Sequence, residues 1–312
     1  MGKKILLLGS LGMVGSSIGK LLKEREENYN LIESSRKDTD LFSYDKTQDL
    51  ITNTQPDVVI IAAAKVGGIV FNNTKRSDFI LENLKINMNI LESCIPFPNI
   101  KVINLGSSCI YPLSAPNPIS EEEFMNGQLE ETNSPYAMAK ISAIEIGRAI
   151  STEFGHKVIN LMPTNLYGPN DFFHPVNGHV IPSLIARMHD AKLNKDTEFN
   201  IWGTGTPLRE FLFVDDLAEC VKFIIDKNID NDLINVGSSV EISIANLAVL
   251  IKDSVGFEGE LIFDTSKPDG NPRKLLDSSL INSLGWKSKT TLERGLKYTY
   301  DWYVENKEIA RH

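Results

Sequence analysis

Cysteine is scarce in this sequence: Cys94, Cys109 and Cys220 are the only three among 312 residues. Their odd number and unpaired spacing exclude a disulfide framework and a zinc-ligand pattern, and they favour a reducing compartment. Long apolar runs are also missing. The run at residues 5–8 is too short for a membrane span, and no small-residue cleavage site follows it. We therefore expect a cytoplasmic protein that does not associate with membranes.

Positive charge is in the minority. The chain has 32 Lys and Arg against 41 Asp and Glu, a formal net charge of -9. Without a basic excess it cannot neutralise many phosphates, which argues against nucleic-acid binding but leaves a local basic pocket possible. The run Glu121-Glu122-Glu123 is more typical of a solvated loop than of a metal site, and we predict no bound metal.

Short apolar runs of strand length alternate with longer amphipathic stretches in the first half of the chain. The candidate strands are Ile5–Leu8, Asn30–Ile32, Val58–Ala62, Val102–Leu105 and Val158–Leu161. The candidate helices are Met13–Glu24, Lys46–Gln55, Phe79–Cys94 and Tyr136–Phe154. This alternation predicts an α/β fold with a Rossmann-like, doubly wound parallel sheet. The continuous apolar character of the strands indicates that helices cover both faces.

The alternation ends after Met162-Pro163, where a stretch rich in Gly, Pro and Asn runs from Tyr167 to Pro182. The elements expected beyond it are helices at Leu184–Asp190, Leu217–Asp226, Ser243–Val255 and Leu292–Tyr303 and strands at Phe199–Trp202 and Ile234–Val236. We expect a smaller, discontinuous C-terminal substrate lobe. Residues 1–165 and about 213–240 would form the dinucleotide-binding domain, and about 166–212 and 241–312 the lobe.

A glycine-rich turn directly follows the first predicted strand and opens a helix. It reads Gly9-Ser10-Leu11-Gly12-Met13-Val14-Gly15. Glycine suits a sharp turn, a close approach of backbone to a pyrophosphate, and tight packing of helix on strand. The free N–H groups of the helix N-terminus then attract phosphate. A bare strand–helix turn is the alternative, but the β/α alternation favours a nicotinamide dinucleotide.

The residues after the second predicted strand indicate whether that cofactor is NAD or NADP. Glu33 could bind the ribose hydroxyls of NAD, whereas Arg36 could hold the 2′-phosphate of NADP through its planar set of donors. The alternative for Arg36 is a solvated surface residue. We expect NADP(H).

Tyr136 and Lys140 are four residues apart on a predicted helix, so their side chains share one face. A lysine charge beside a phenol is expected to lower its pKa from about 10, so that Tyr136 can exchange a proton with a carbonyl oxygen during hydride transfer. Ser107 follows the fourth predicted strand, where ligands sit in such sheets, and could donate to the same oxygen. An incidental helix pair is the alternative reading.

Longer segments carry a family resemblance. They are residues 62–68 (AAAKVGG), 106–112 (GSSCIYP), 163–169 (PTNLYGP), 202–205 (WGTG), 267–270 (KPDG) and 272–274 (PRK). On these segments the chain resembles the extended short-chain dehydrogenases/reductases, and within them the enzymes that epimerise and reduce a GDP-linked 4-keto-6-deoxy sugar. The resemblance implies a catalytic set of Ser107, Tyr136 and Lys140 for reduction, with Cys109 as base and His179 as acid for epimerisation.

The resemblance also implies binding residues. The implied cofactor contacts are Gly9, Ser10, Leu11, Gly12, Met13, Val14, Gly15, Arg36, Leu105, Gly106, Ser107, Ser108, Lys140, Pro163, Thr164, Asn165, Leu166 and His179. The implied substrate contacts are Arg187, Trp202, Arg209 and Asp277. One position departs from the pattern: the family often has an arginine in the glycine loop where this chain has Leu11, so Arg36 carries more of the expected NADP preference.

Several alternatives stay open. Another nucleotide sugar could be the substrate, or the chain could be a non-catalytic nucleotide sensor, because a fold alone does not prove activity. Without the resemblance, His174 and His179 are equal candidates within one loop. The resemblance further implies a homodimer through the predicted helices Phe79–Cys94 and Tyr136–Phe154, with Ile141, Ile144 and Ile146 either in that interface or buried inside the fold.

Overall fold

The computed structural model alternates strands and helices through residue 163, as the sequence predicts. Its strands are β1 (Lys3–Leu8), β2 (Tyr29–Ser34), β3 (Val58–Ile61), β4 (Lys101–Leu105), β5 (Lys157–Pro163), β6 (Asn165–Tyr167), β7 (Glu198–Trp202), β8 (Leu208–Phe213), β9 (Leu233–Val236), β10 (Glu241–Ser243), β11 (Glu260–Asp264) and β12 (Arg273–Lys274). Its helices are α1 (Met13–Lys23), α2 (Tyr44–Thr54), α3 (Ile69–Thr74), α4 (Arg76–Cys94), α5 (Ser134–Phe154), α6 (Val180–Asn194), α7 (Val214–Asp226), α8 (Ile244–Val255), α9 (Ser279–Ser283) and α10 (Leu292–Asn306). The structure describes residues 2–25, 27–267 and 269–310. Pro268 of the segment at 267–270 and the last two residues of the predicted lobe lie outside this description.

Six strands form the central sheet in the order β2-β1-β3-β4-β5-β9, and every neighbouring pair is parallel. The chain leaves β1 to one side for β2 and then crosses to the other side for β3. This reversal places a crevice between the carboxyl ends of β1 and β3, where doubly wound sheets bind ligands.

Alternate residues of the sheet pack into two different cores, so both of its faces are covered. On β1, Ile5 and Leu7 join the core that contains α1 and α7, whereas Leu6 and Leu8 join the core that contains α2, α4 and α5. Strands buried on both faces need apolar residues at consecutive positions, which explains the continuous runs in the sequence.

The helices α4 and α5 lie side by side, and the isoleucines of α5 are used inside the fold. Ile141 and Ile144 are buried, and Ile146 packs against the core beneath α4. Of the two possibilities that the sequence left open for these residues, burial within the fold is therefore the one that the structure supports. The exposed apolar residues of the pair are Leu81, Met88 and Met138.

A second core forms beyond residue 166 from aromatic and aliphatic side chains of α6, β7, β8, α8 and α10. Phe173 is fully buried there and its ring lies 4.6 Å from that of Tyr303. Ile281 and Trp286, which the predicted boundary places in the lobe, pack instead in the core of the first domain. The chain therefore returns to the first core near its end, and the lobe boundaries remain a prediction.

The predicted elements have the right type, and their ends move by a few residues. The helix predicted at Leu184–Asp190 extends over α6, and Ser243 caps α8 by accepting the Asn246 N–H at 3.1 Å. The sequence did not predict the short elements β6, β8, β10, β11, β12, α3 and α9. All of these have only two to six residues, too few to show a periodic pattern. Within the described residues, no helix is long and apolar enough to cross a membrane.

Candidate functional site

A cavity of about 1150 Å³ opens at the carboxyl ends of the central strands. Its wall combines the turn after β1, the segment after β3, the residues after β4, the start of α5 and parts of the second lobe. All five predicted catalytic residues line it: Ser107, Cys109, Tyr136, Lys140 and His179. Most of the predicted cofactor residues line it too, the exceptions being Ser10 and Gly15.

In the glycine loop, the backbone packs directly against the backbone of neighbouring segments. Gly9 has a φ of +87°, and a Cβ atom built on it would lie 2.6 Å from the backbone nitrogen of Ala63 beyond β3. A Cβ on Gly15 would lie 2.2 Å from the Gly9 carbonyl oxygen, so Gly15 serves packing and not the cavity wall. Gly12 precedes α1 and offers no side-chain cap to its first N–H groups, and Gly12, Met13 and Val14 line the cavity. These features fit a pyrophosphate.

Glu33 and Arg36 differ in their orientation. The Glu33 carboxylate forms an ion pair with Lys23 of α1 at 2.5 Å and does not line the cavity. Arg36, Lys37 and Ser35 do line it, and within the described residues no carboxylate forms an ion pair with Arg36. The end of the cavity next to β2 therefore offers positive charge, which fits a 2′-phosphate better than a free ribose hydroxyl.

Lys140 is 2% exposed, and its ammonium group donates to the Leu105 carbonyl oxygen at 2.7 Å. This bond ties α5 to the end of β4. Tyr136 stands one helical turn earlier with its ring centroid 5.8 Å from the ammonium nitrogen, and it packs edge-on against Phe79 of α4. Ser107 begins the turn after β4, and its hydroxyl accepts the Cys109 N–H at 3.3 Å. The four side chains face one end of the cavity.

The expectation that Lys140 lowers the pKa of Tyr136 is wrong for the protein without ligands. Burial raises the pKa of Tyr136 far above its ordinary value, the nearby Cys109 thiolate would raise it further, and a hydrogen bond with Ser107 only partly opposes them. The Lys140 ammonium instead donates to the Leu105 carbonyl, and burial is the largest influence on the phenol. Tyr136 is therefore a proton donor in this state.

Cys109 lies near the predicted residues Ser107 and Lys140 and near one further cation, Lys274, that was not predicted as a site residue. Burial raises the pKa of its thiol, and the Lys274 ammonium is the first group to oppose that effect, followed by Ser107 and Lys140. Lys274 is itself a cavity residue whose pKa burial lowers. It belongs to the segment at 272–274, so its place in a shared motif was a signal that could have identified it. A thiol beside two cations is suited to exchange a proton.

The two histidines of one loop have different positions. His179 lines the cavity as the residue that precedes α6. The His174 ring faces its own loop, with Nδ1 accepting the backbone N–H groups of Val176 and Asn177 at 3.1 and 3.0 Å. The structure therefore separates two residues that the sequence pattern left equal.

Of the four residues predicted to contact the substrate, only Arg209 lines the cavity. Trp202 is 54% exposed and precedes a turn in which the Thr204 N–H and hydroxyl donate to Asp269 at 2.9 and 2.7 Å. Asp269 is a cavity residue that faces Arg209, and it was not predicted. Trp202 thus lies next to a turn that is bonded to a cavity residue.

Arg187 and Asp277 have local partners. Arg187 donates to the Asn200 carbonyl at 2.6 Å and its guanidinium lies 4.8 Å from the Phe199 ring centroid. The Asp277 carboxylate accepts the Ser279 N–H at 2.8 Å at the start of α9. These contacts give both side chains a role within the fold. Their contact with a substrate remains a prediction.

The acidic run is not a fully solvated loop, which corrects one expectation. It forms a single helical turn, and the Glu121 carboxylate accepts the Asn235 N–H at 2.8 Å. Burial raises the pKa of Glu121. Among the described residues, no group of three or more His, Cys, Asp or Glu side chains is arranged to hold a metal ion.

A family model described as the NAD dependent epimerase/dehydratase family matches residues 5–237. Its match covers the central sheet and every side chain predicted to be catalytic. The similarity therefore includes the cavity and is not limited to the glycine loop.

Individual proteins resemble the chain over nearly its whole length. GDP-L-fucose synthase 1 of Arabidopsis thaliana is 48% identical over 303 residues, 97% of this chain and 94% of that protein. GDP-L-fucose synthase of Escherichia coli K12 is 42% identical over 318 residues, 99% of each chain. The crystal structure of a GDP-L-fucose synthetase from Naegleria fowleri bound to NADP has a TM-score of 0.89 and 31% identity, and covers 99% of this chain and 96% of that one.

The buried ammonium of Lys140 generates a pH prediction. Burial lowers its pKa to about 8, whereas an unfolded chain keeps the lysine proton up to about pH 10.4. Between these values the unfolded state binds more protons, so stability rises with pH there. We expect the free energy of unfolding of wild type, minus that of Lys140→Met, to increase from about pH 8 to about pH 10. Urea unfolding of the two proteins without ligands measures this. A difference that stays constant or falls across that range would contradict the assignment, since all other titrating groups are common to both proteins.

Proposed function

The chain belongs to the NAD-dependent epimerase/dehydratase family, within the extended short-chain dehydrogenases/reductases, and we propose that it converts GDP-4-keto-6-deoxy-D-mannose to GDP-L-fucose. The reaction inverts both carbons that flank the ketone and then reduces the ketone to an alcohol. The observation that carries the proposal is that Cys109 and His179 share one cavity with Ser107, Tyr136 and Lys140. A simple reductase has no use for the first pair.

Epimerisation requires proton transfer at carbon. A ketone acidifies the hydrogens on both neighbouring carbons, so a base can remove one of them to leave an enolate. We assign the base to the Cys109 thiolate, which the Lys274 and Lys140 charges favour against burial. We assign the acid to His179, whose protonated imidazole can give a proton to the opposite face of the same carbon. Ser107 and Tyr136 donate hydrogen bonds to the enolate oxygen and stabilise its charge.

Reduction uses the same oxygen. NADPH, when bound, supplies the hydride that the ketone carbon accepts. The Tyr136 hydroxyl gives its proton to the ketone oxygen, and its raised pKa keeps that proton available. The Lys140 charge then favours the phenolate that remains, and Ser107 holds the oxygen in place. The loop Gly9–Gly15 and the segment Pro163–Leu166 would hold the cofactor, with Arg36 at its 2′-phosphate.

The proposed substrate contacts are based on the negative charge of a GDP-sugar. The two phosphates of a GDP-sugar need local cations in an acidic protein, and Arg209 and Lys274 supply them in the cavity. Trp202 and Arg187 complete the proposed site on the side of the second lobe, together with Asp277 as the resemblance implies. Asp269 fixes the turn after Trp202, and we add it to this set.

The central test measures deuterium incorporation from D₂O at the two carbons that flank the ketone. Wild type with GDP-4-keto-6-deoxy-D-mannose and NADPH should give GDP-L-fucose with deuterium at both carbons that flanked the ketone, read by NMR. Cys109→Ser and His179→Gln should lower turnover about a hundredfold or more while NADPH still binds. Cys94→Ala, a cysteine remote from the cavity, is the matched control.

Two results would refute this function. One is full conversion of the keto-sugar to L-fucose product by both variants. The other is NADPH consumption that occurs only when the sugar is linked to UDP in place of GDP.

Arg36 gives a second prediction. Replacing it with Gln removes a charge-assisted hydrogen bond to the 2′-phosphate, which corresponds to about a ten- to hundredfold loss. We expect kcat/KM to fall by that factor with NADPH and to stay nearly constant with NADH. An equal fall with both cofactors would show that Arg36 acts on the fold and not on the phosphate.

We also propose a homodimer formed by α4 and α5. Its support is the exposed apolar surface of that pair, where Leu81, Met88 and Met138 are 54%, 46% and 43% exposed. Light scattering after size exclusion should give twice the chain mass for wild type and the chain mass for Leu81→Glu/Met138→Glu. Leu193→Glu, at an equally exposed site on α6, should leave the mass unchanged. A dimer that survives the double change would place the interface elsewhere.

A cytoplasmic location completes the proposal. It is supported by the three free cysteines, which suit a reducing compartment.

A further inference from the structure

The loop that carries His179 runs from a buried aromatic residue back to the cavity. Phe173 is its anchor, because this ring is fully buried in the second core against Tyr303. Only five residues separate Phe173 from His179, and within them the chain reverses direction to bring His179 to the start of α6. The path of this reversal therefore sets where the His179 imidazole lies.

His174 occupies the inside of the reversal. Its Nδ1 accepts two backbone N–H groups, those of Val176 and Asn177, at 3.1 and 3.0 Å. A ring nitrogen that accepts two N–H groups acts through its lone pair, and this lone pair bonds to the backbone of the turn. The side-chain amide of Asn177 lies 3.4 Å from Nε2, and the Phe172 ring centroid is 5.5 Å from that of the imidazole.

Backbone bonds continue from this turn to the cavity wall. The Gly178 N–H donates to the His174 carbonyl at 3.1 Å, and the Asn177 carbonyl accepts the Gly68 N–H at 2.8 Å. A Cβ on Gly178 would lie 2.7 Å from the His174 carbonyl oxygen, so the turn is closely packed. Gly68 is itself a cavity residue. The turn thus joins the His179 loop to the segment after β3.

We propose that His174 is a positioning residue: its Nδ1 lone pair fixes the turn 174–178 and thereby directs His179 toward the carbons that are epimerised. The inference rests on the proposed function, since it requires His179 to act on the sugar. A direct chemical role for His174 does not fit its position, because the ring faces its own loop and is not part of the cavity wall.

Three substitutions of His174 distinguish the role of its Nδ1 acceptor from any other role of the imidazole ring. Asparagine places its side-chain oxygen the same number of bonds from the backbone as Nδ1, glutamine places it one bond farther, and alanine has none. We expect His174→Ala and His174→Gln to lower kcat and deuterium uptake by about ten- to a hundredfold, the size of effect that follows a small misplacement of a catalytic group. His174→Asn should recover most of the loss, and the KM for NADPH should stay within about twofold in all three.

A second readout does not depend on turnover. Hydrogen exchange of the Val176 and Asn177 amides should accelerate in His174→Ala and return toward wild type in His174→Asn, because these amides lose and regain their acceptor. It also detects a variant that fails to fold, since exchange would then accelerate throughout the chain.

The outcomes are distinct. Wild-type kcat and deuterium uptake in His174→Ala overturn the proposal. So does a His174→Asn protein that protects both amides yet remains as slow as His174→Ala, because the ring would then act directly. Failure of wild type itself to incorporate deuterium refutes the proposed function instead.

Discussion

The hydrogen bond from the Lys140 ammonium to the Leu105 carbonyl joins the two elements that carry the reactive side chains. Tyr136 lies on α5, and Ser107 and Cys109 follow the end of β4. Lys140 is 2% exposed, so almost no water can replace this partner at 2.7 Å. A buried ammonium without an acceptor is strongly unfavourable, and the position of α5 on β4 is therefore specified. The spacing of phenol, hydroxyl and thiol depends on that position.

Burial also favours the neutral forms of four titratable side chains in the cavity: Tyr136, Cys109, Lys140 and Lys274. It raises the pKa values of Tyr136 and Cys109 and lowers those of Lys140 and Lys274. An anionic ligand changes this balance, because negative phosphates favour the charged lysines and charged lysines favour the thiolate. Under the proposed function, Lys274 would therefore link the binding of the substrate phosphates to the charge state of Cys109.

The sequence predicted the parts of this protein that depend on local pattern. Continuous apolar strands, the glycine loop and the Tyr136–Lys140 spacing lead to the parallel sheet and to one end of the cavity. The direction of the Tyr136 pKa shift could not be predicted, because it depends on burial by segments distant in sequence. The contact of Asp269 with Thr204, 65 residues away, could not be predicted for a similar reason, although Asp269 belongs to the shared segment at 267–270. From the residues alone, without the family resemblance, choosing between His174 and His179 likewise required the path of the loop.

The two halves of the cavity are held at a fixed separation by β6 and β8. Asn165 of β6 pairs in parallel register with Phe211, and its side chain and that of Thr164 both donate to the Glu210 carbonyl, at 2.9 and 3.2 Å. The Glu210 carboxylate is fully buried and accepts the N–H groups of Ser239 and Leu276 at 2.7 and 3.1 Å.

This arrangement places Arg209, the residue before Glu210, directly beside the segment that lines the proposed cofactor end. Under the proposed function, a substrate whose phosphates bind Arg209 would therefore lie across the two parts of the cavity that these buried hydrogen bonds connect. The predicted catalytic residues of the first domain thereby share one cavity with a cation, Arg209, that the second lobe supplies.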